Sequence, residues 1–237
     1  MVYKKRNDGR KFDELRPTEA EVGIIKRADG SARLKMGKTE ALAAVYGPRE
    51  LVPRFMQNPQ KGILRVHYNM MPFSGSGNRV RPGGNRRSKE LSMVIRNALM
   101  PVINLNDFPN AVVDVYIEFP QTDAGTRCAA ITAAAMALAD AGLLMTDLVS
   151  SVAIGRVDDK IVADMDYSEE SHECEAGVAD IPVAFVPSTG EISLLQMDGP
   201  MTKKQLFEAL ELAKKSCTAL YEVQKTALKK RYAVQGD

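Results

Sequence analysis

The amino-acid sequence predicts a mixed α/β protein of two similar halves, residues 1–148 and 149–237, dividing near Asp147–Ser151. Three features carry that expectation. Short runs rich in β-branched residues, bounded by Gly, Pro, Asp and Ser turn signals, recur in both halves and read as strands. Helical stretches are interleaved with them, two in the first half and a long one closing the second. No periodic repeat of the solenoid kind runs through the chain.

From Glu21 to Tyr46 the chain reads as short strands, with Asp29-Gly30 a hairpin turn between Val22–Arg27 and Ala32–Met36. Leu64–Met70 is a further strand, whereas Pro72 to Asn85, rich in Gly, Ser, Asn and Pro, is loop. Ser88 opens a helix running to about Leu99, and Pro101 ends it. Val112–Phe119 is a strand. After the turn at Gln121–Gly125, an Ala-rich helix runs from Thr126 to Ala141 and stops at Gly142, its small side chains suiting close packing on a sheet. Val149–Val157 and Lys160–Met165 flank Asp158-Asp159 as a second hairpin. Ile181–Val186 and Ile192–Gln196 flank Ser188-Thr189-Gly190 as a third. Thr202 caps a long helix whose apolar stripe is Leu206, Leu210, Ala213, Cys217, Leu220 and Leu228.

A chain of 237 residues, 45% hydrophobic and 26% charged, can bury a substantial core. No apolar run approaches the ~20 residues that span a bilayer, and the start Met-Val-Tyr-Lys-Lys-Arg lacks a signal peptide's apolar stretch, so a cytoplasmic protein is expected. Cys128, Cys174 and Cys217 are far apart, and His67 and His172 complete no metal pattern with them; reduced thiols and no structural zinc follow. The net charge of +2 conceals local imbalance: Arg79, Arg81, Arg86, Arg87 and Lys89 crowd one stretch, and Asp164 to Glu175 is acidic.

The sharpest local signal is Gln121-Thr122-Asp123-Ala124-Gly125-Thr126-Arg127, where a strand turns into a helix. Unpaired N–H groups and the positive end of the helix dipole make such a place an anion site, and Gly125 permits close approach. Thr126 and Arg127 add a hydroxyl donor and a guanidinium. Read alone, the segment serves equally well as a helix cap with a solvated arginine. Arg86 and Arg87, directly before the helix that Ser88 opens, oppose its dipole by roughly 0.3–1 kcal/mol each when exposed, a conflict that a bound anion would relieve; read alone, such an arginine-rich loop is more often solvated surface. Arg49 and Arg54, within Gly47–Gln60, form a weaker basic loop that could grip an RNA backbone or serve no function. In the acidic stretch Asp164, Asp166, Glu169, Glu170, Glu173 and Glu175 lead to Asp180, held at a strand start and the best single carboxylate for Mg²⁺ or a proton. On composition alone the stretch is solvated loop.

Together these segments resemble the RNase PH family, most closely its catalytic ring subunits of the archaeal exosome. The resemblance rests on Asp8-Gly9-Arg10 with Leu15-Arg16-Pro17; on Gly37-Lys38-Thr39-Glu40-Ala41; and on Val45-Tyr46-Gly47-Pro48-Arg49-Glu50. It rests further on Asp123-Ala124-Gly125-Thr126-Arg127 and Asp180-Ile181-Pro182-Val183, and it runs from about Asp8 to Tyr232. Ser171–Ala179 is slightly longer than the family's usual acidic segment, and Ser74–Gly84 is richer in Gly.

The resemblance implies the RNase PH fold, with two βαβ-like halves related to the ribosomal protein S5 domain 2-like fold. It implies a phosphate-dependent 3′-to-5′ exoribonuclease that releases nucleoside diphosphates and runs in reverse as RNA tailing. Gly125, Thr126, Arg127 and Arg87 would bind inorganic phosphate. Asp180 would be the acid or Mg²⁺ ligand, with Glu170 as second carboxylate. Arg86, Arg87, Arg49 and Arg54 would hold single-stranded RNA. The implied partners are a related inactive subunit, alternating in a hexameric ring, and RNA-binding cap proteins. Two alternatives stay open: a homohexameric enzyme trimming tRNA 3′ ends, and a silent RNA-binding ring subunit. Arg127 and Asp180, both present, speak against the second.

Overall fold

The computed structural model describes residues 3–77, 79–81, 84–172 and 177–233. Glu173 and Glu175 of the acidic stretch, and Cys174, lie outside the described residues. Nine strands form two sheets among them. The first contains β1 (Thr18–Val22), β2 (Gly30–Met36), β3 (Thr39–Glu50), β4 (Ile63–Met70) and β5 (Ala111–Gln121), in the order β1-β2-β3-β5-β4. The second contains β6 (Ser150–Val157), β7 (Lys160–Ala163), β8 (Ala179–Val186) and β9 (Glu191–Leu195), ordered β7-β6-β8-β9. The helices are α1 (Arg86–Leu99), α2 (Thr126–Asp140), α3 (Tyr167–Glu170) and α4 (Lys203–Tyr232).

Only β4 and β5 pair in parallel, with α1 as the crossover between them. The second sheet is antiparallel throughout, so the βαβ pattern is parallel in the first half alone. Short connections impose this, because a tight turn returns the chain antiparallel. Asp158, at φ 49, makes the β6–β7 turn as expected. The first hairpin differs: β1 starts at Thr18, and Asp29-Gly30 is the entry to β2, not the turn. The packing reason lies in α2. A Cβ on Gly30 would come within 2.3 Å of the Ala137 carbonyl, so only glycine lets β2 pass under the last turn of that helix.

Helix α2 packs against β2 and β3 of one sheet and β6 and β8 of the other. Every residue from Cys128 to Leu138 is consequently buried, as a helix without a polar face must be. Alanines dominate because two sheets approach it at once. Helix α4 packs on β6 and also on β1 of the first sheet and against α2, while α1 lies on β4 and against α2. No helix is long and apolar enough to cross a membrane among the described residues.

The segment before β1 has no regular structure, yet it carries two of the molecule's buried charges, Arg6 (2% exposed) and Arg16 (5%). Arg6 donates to both oxygens of Glu169, at 2.8 Å from Nε and 2.7 Å from Nη2, and to the carbonyls of Ala163 and Asp164. The Tyr3 hydroxyl donates to the same carboxylate at 2.6 Å. Arg16 grips Asp164 through Nε at 2.9 Å and Nη2 at 2.6 Å, and its Nη1 donates to the Asp123 carbonyl at 2.5 Å. Asp164 and Glu169 are each 1% exposed. The expectation of a solvated acidic stretch is therefore wrong for these two residues: a distant arginine pairs with each, which composition does not reveal.

Removing one member of a buried pair strands the other's charge. Asp164→Ala is expected to lower stability by about 3–5 kcal/mol in denaturant unfolding. Glu208→Ala, at the exposed Lys204–Glu208 pair, is expected to change it by less than about 0.5 kcal/mol.

Candidate active site

Strand β5 ends at Gln121, and the chain enters α2 through two successive left-handed residues, Ala124 (φ 56) and Gly125 (φ 65). A left-handed alanine is unfavourable by about 1–3 kcal/mol and persists only where its surroundings hold it. Here the Thr39 hydroxyl donates to the Ala124 carbonyl at 2.8 Å and accepts the Asp123 N–H at 2.9 Å, while Arg16 holds the Asp123 carbonyl. A Cβ at Gly125 would sit 3.0 Å from Arg16 Nη2. Gly125 is the N-cap of α2 and supplies no side-chain cap; the first-turn N–H groups thus keep their capacity for an anion.

This turn opens into a cleft of about 620 Å³. Gly125, Thr126, Arg127 and Arg87 line it together with Glu170 and Asp180. Six residues separated by up to 93 positions in the chain therefore meet at one place. Arg87 arrives on the first turn of α1, whose N-cap Asn85 forms a reciprocal capping box with Ser88; the helix thus starts at Arg86, two residues earlier than expected. Glu170 ends α3, a single turn that Asp166 caps and Arg6 anchors through Glu169. The Tyr167 N–H donates to the Asp123 carboxylate at 3.2 Å, joining α3 to the turn before α2.

Three buried polar atoms at the cleft have no hydrogen-bond partner among the described residues: Nε of Arg127, Oδ1 of Asp180 and Oε1 of Gln196. Unpaired buried polar atoms are rare and costly, so a donor and two acceptors left open beside one cavity mark a place made for a ligand. Asp180 is the second residue of β8, and its N–H and C=O bridge to the backbone of Asp198 at 2.8 and 2.9 Å. Burial pushes its carboxyl up to about 6, and Glu170 and Asp198 push the same way against the opposing pull of Arg127 and Arg87.

The remaining basic candidates lie elsewhere. Arg86 is exposed beside Arg87 and does not line the cleft. Arg49, expected in a free loop, closes β3 and bonds Asp114 at 2.5 Å, sharing that fully buried carboxylate with Arg65. Arg54 is exposed on a 3₁₀ turn next to Phe55, which is 87% exposed. The sequence reading missed Tyr68, Asp198 and the Arg16–Asp164 pair. Tyr68 falls within the strand read over Leu64–Met70, and Asp198 falls in no segment that the sequence singled out. For Arg16 and Asp164, 148 residues apart, no local signal exists.

The sequence matches the 3′ exoribonuclease (RNase PH) family, domain 1, over residues 14–143 and domain 2 of the same family over residues 147–216. It is 53% identical over 228 residues to exosome complex component Rrp41 of Thermococcus kodakarensis, covering 96% of this chain and 90% of that protein. Rrp41 of Methanopyrus kandleri is 49% identical over 227 residues, covering 96% and 93%. The structure resembles that of rice Rrp46, with a TM-score of 0.81 at 25% identity, covering 94% of this chain and all of the other. With both domains matched in order and relatives at half identity along nearly its whole length, this chain belongs to the RNase PH family of 3′ exoribonucleases.

Proposed function

We propose that the chain is a phosphate-dependent 3′-to-5′ exoribonuclease and the catalytic subunit of an exosome ring. The observation that carries this is the pairing, at one cleft, of an anion site with an open arginine Nε and a carboxylate with an open oxygen. Phosphate would rest on the N–H groups of the first turn of α2, on the Thr126 hydroxyl and between Arg127 and Arg87. One of its oxygens attacks the last phosphodiester phosphorus in line. The bond to the preceding nucleotide's 3′ oxygen breaks, that oxygen takes a proton, and the terminal nucleotide leaves as a diphosphate. Two anions must meet, and the arginines and helix N–H groups offset their repulsion. A carboxyl pushed up to about 6 can hold at Asp180 the proton that the 3′ oxygen needs.

Mg²⁺ fits the same donors. No group of three or more candidate ligand side chains converges among the described residues, but Mg²⁺ keeps several waters and needs only one or two carboxylates beside substrate phosphates. Asp180, then ionised and in place of its role as the acid, and Glu170 would hold it, and when bound it would neutralise charge on the phosphoryl oxygens.

We place single-stranded RNA along Arg86 and Arg87, with Arg54 and, through its exposed half, Arg49 as further backbone contacts. The relatives carry the name of exosome components, and this chain exposes Phe55, Phe73 and Leu144 at 87%, 74% and 75%. Exposed apolar side chains of that size suit subunit contact. The reading extends to a hexameric ring alternating with a related inactive subunit and topped by RNA-binding cap proteins, which the relatives' name as exosome components supports.

With 5′-labelled RNA, the full chain and its ring partner are expected to shorten substrate only when phosphate is present, releasing diphosphates. Excess nucleoside diphosphate should lengthen the RNA. Arg127→Ala is expected to cut the phosphorolytic rate by at least about 100-fold; shortening without phosphate, yielding monophosphates, would disprove the reading. A second prediction concerns stability. Because the folded-state pKa of Asp180 lies above its ordinary value of 3.8, the native state binds its proton more tightly, and stability from this group falls as pH rises from about 4 through about 6. Asp180→Asn removes that loss. In metal-free buffer it is expected to be more stable than the parent at pH 8 by up to about 3 kcal/mol, with no gain at pH 4, while losing activity; thermal unfolding at the two pH values checks this.

A further inference from the structure

Thr126 occupies the first helical position of α2. A threonine inside a helix usually spends its hydroxyl proton on the carbonyl one turn earlier; at the first position no helical carbonyl precedes it. Its recorded hydrogen bond is to Tyr68, whose Oη lies 2.9 Å from Thr126 Oγ1, both residues being buried. Tyr68 stands on β4, 58 residues away, and lines the same cleft. Two hydroxyls in contact share two protons, and which one donates is set by their other neighbours. Arg87 and Arg127 line the same cleft, and their positive charge acts on the phenol. Both cations can only donate. Positive charge beside a phenol favours turning its proton away, toward the threonine oxygen. Burial keeps the phenol protonated, raising its pKa further above neutrality.

We propose that Tyr68 is a positioning residue for phosphate: by donating to Thr126 Oγ1 it turns the Thr126 hydroxyl proton into the cleft, toward the attacking anion. The chain of donors runs from the Tyr68 phenol to the Thr126 hydroxyl to phosphate, with the positive charge of Arg87 behind it, and every link points one way. Without the phenol, the threonine hydroxyl is free to rotate and its proton is aimed at phosphate only part of the time. Tyr68 thus acts through Thr126 and touches no reacting atom. The inference rests on the reading of residues 125–127 as the phosphate site.

The test is a double-substitution cycle on the full chain assembled with its ring partner, following phosphate dependence of the cleavage rate on labelled RNA. Tyr68→Phe keeps the ring and removes only the donor. It is expected to raise KM for phosphate about three- to tenfold, the worth of one neutral hydrogen bond, and to leave the RNA KM unaltered. Thr126→Val should raise the phosphate KM by at least as much, and Tyr68→Phe/Thr126→Val should match Thr126→Val alone within about twofold. Thr126→Ser, which retains the hydroxyl, should restore the sensitivity to Tyr68→Phe. A phosphate KM unchanged in Tyr68→Phe, or effects that multiply in the double variant, would overturn the relay. Arg127→Ala separates the two levels: if phosphate dependence survives that change the phosphate site itself is wrong, whereas its loss alongside an indifferent Tyr68→Phe sinks the relay alone.

Discussion

The buried pair between Arg16 and Asp164 is the contact on which the candidate site depends. Arg16 comes from the irregular segment before β1, Asp164 from the end of β7, and the guanidinium also holds the Asp123 carbonyl in the turn before α2. One side chain therefore fixes three pieces of chain that share no secondary structure. Asp164 is itself left-handed, at φ 51, so the pair also maintains an unfavourable backbone conformation at the point where the chain leaves the second sheet for α3. A carboxylate and a guanidinium removed from water at this depth are favourable only when matched atom for atom, which is why the geometry is bidentate. Such a pair contributes little net stability over an apolar contact. Its value is position: it sets the anion turn at a defined distance from the helix that carries Glu170.

The Arg6–Glu169 pair repeats the device one turn along. Glu169 faces inward to Arg6 and Tyr3, and Glu170, its neighbour in α3, lines the cleft. A four-residue helix has almost no stability of its own, so the orientation of Glu170 derives from the buried contacts of the residue beside it. The N-terminal segment thus acts as a clasp on the acidic side of the site, although it contributes nothing to the cleft's lining.

Helix α2 supplies the complementary constraint. Because it is buried on all sides between two sheets, its axis cannot shift without disturbing the whole core, and its N-terminus is held rigidly where phosphate would sit. Rigid scaffolding makes the local disadvantages tolerable: an arginine Nε and a carboxylate oxygen left without partners, two arginines placed against the dipole of α1, and a left-handed alanine. The unpaired Nε and carboxylate oxygen lower stability in the free subunit, and an anion and a cation in the cleft would relieve them. The site is thus arranged for its ligands at the expense of the empty protein.

Most of the strands and helices were legible from local pattern, because periodicity, turn residues and caps act over a few residues; Thr202 capping α4 and Asp158 turning the hairpin are cases in point. The anion turn before α2 was legible too, since Gly125, Thr126 and Arg127 are adjacent and their chemistry is local. Glu169 and Asp164 were misread as solvated loop, Arg49 as a free cation, and Tyr68 as an unremarkable strand residue. Each of these depends on a partner between 58 and 163 residues away; for Arg49 it is Asp114, 65 residues away on the neighbouring strand. The sequence by itself determined the elements, the family and the chemical types available for catalysis. Only the tertiary structure decided which charges are buried, which are paired and which are left open to a ligand, because burial and pairing are properties of distance in space, and distance along the chain does not encode them.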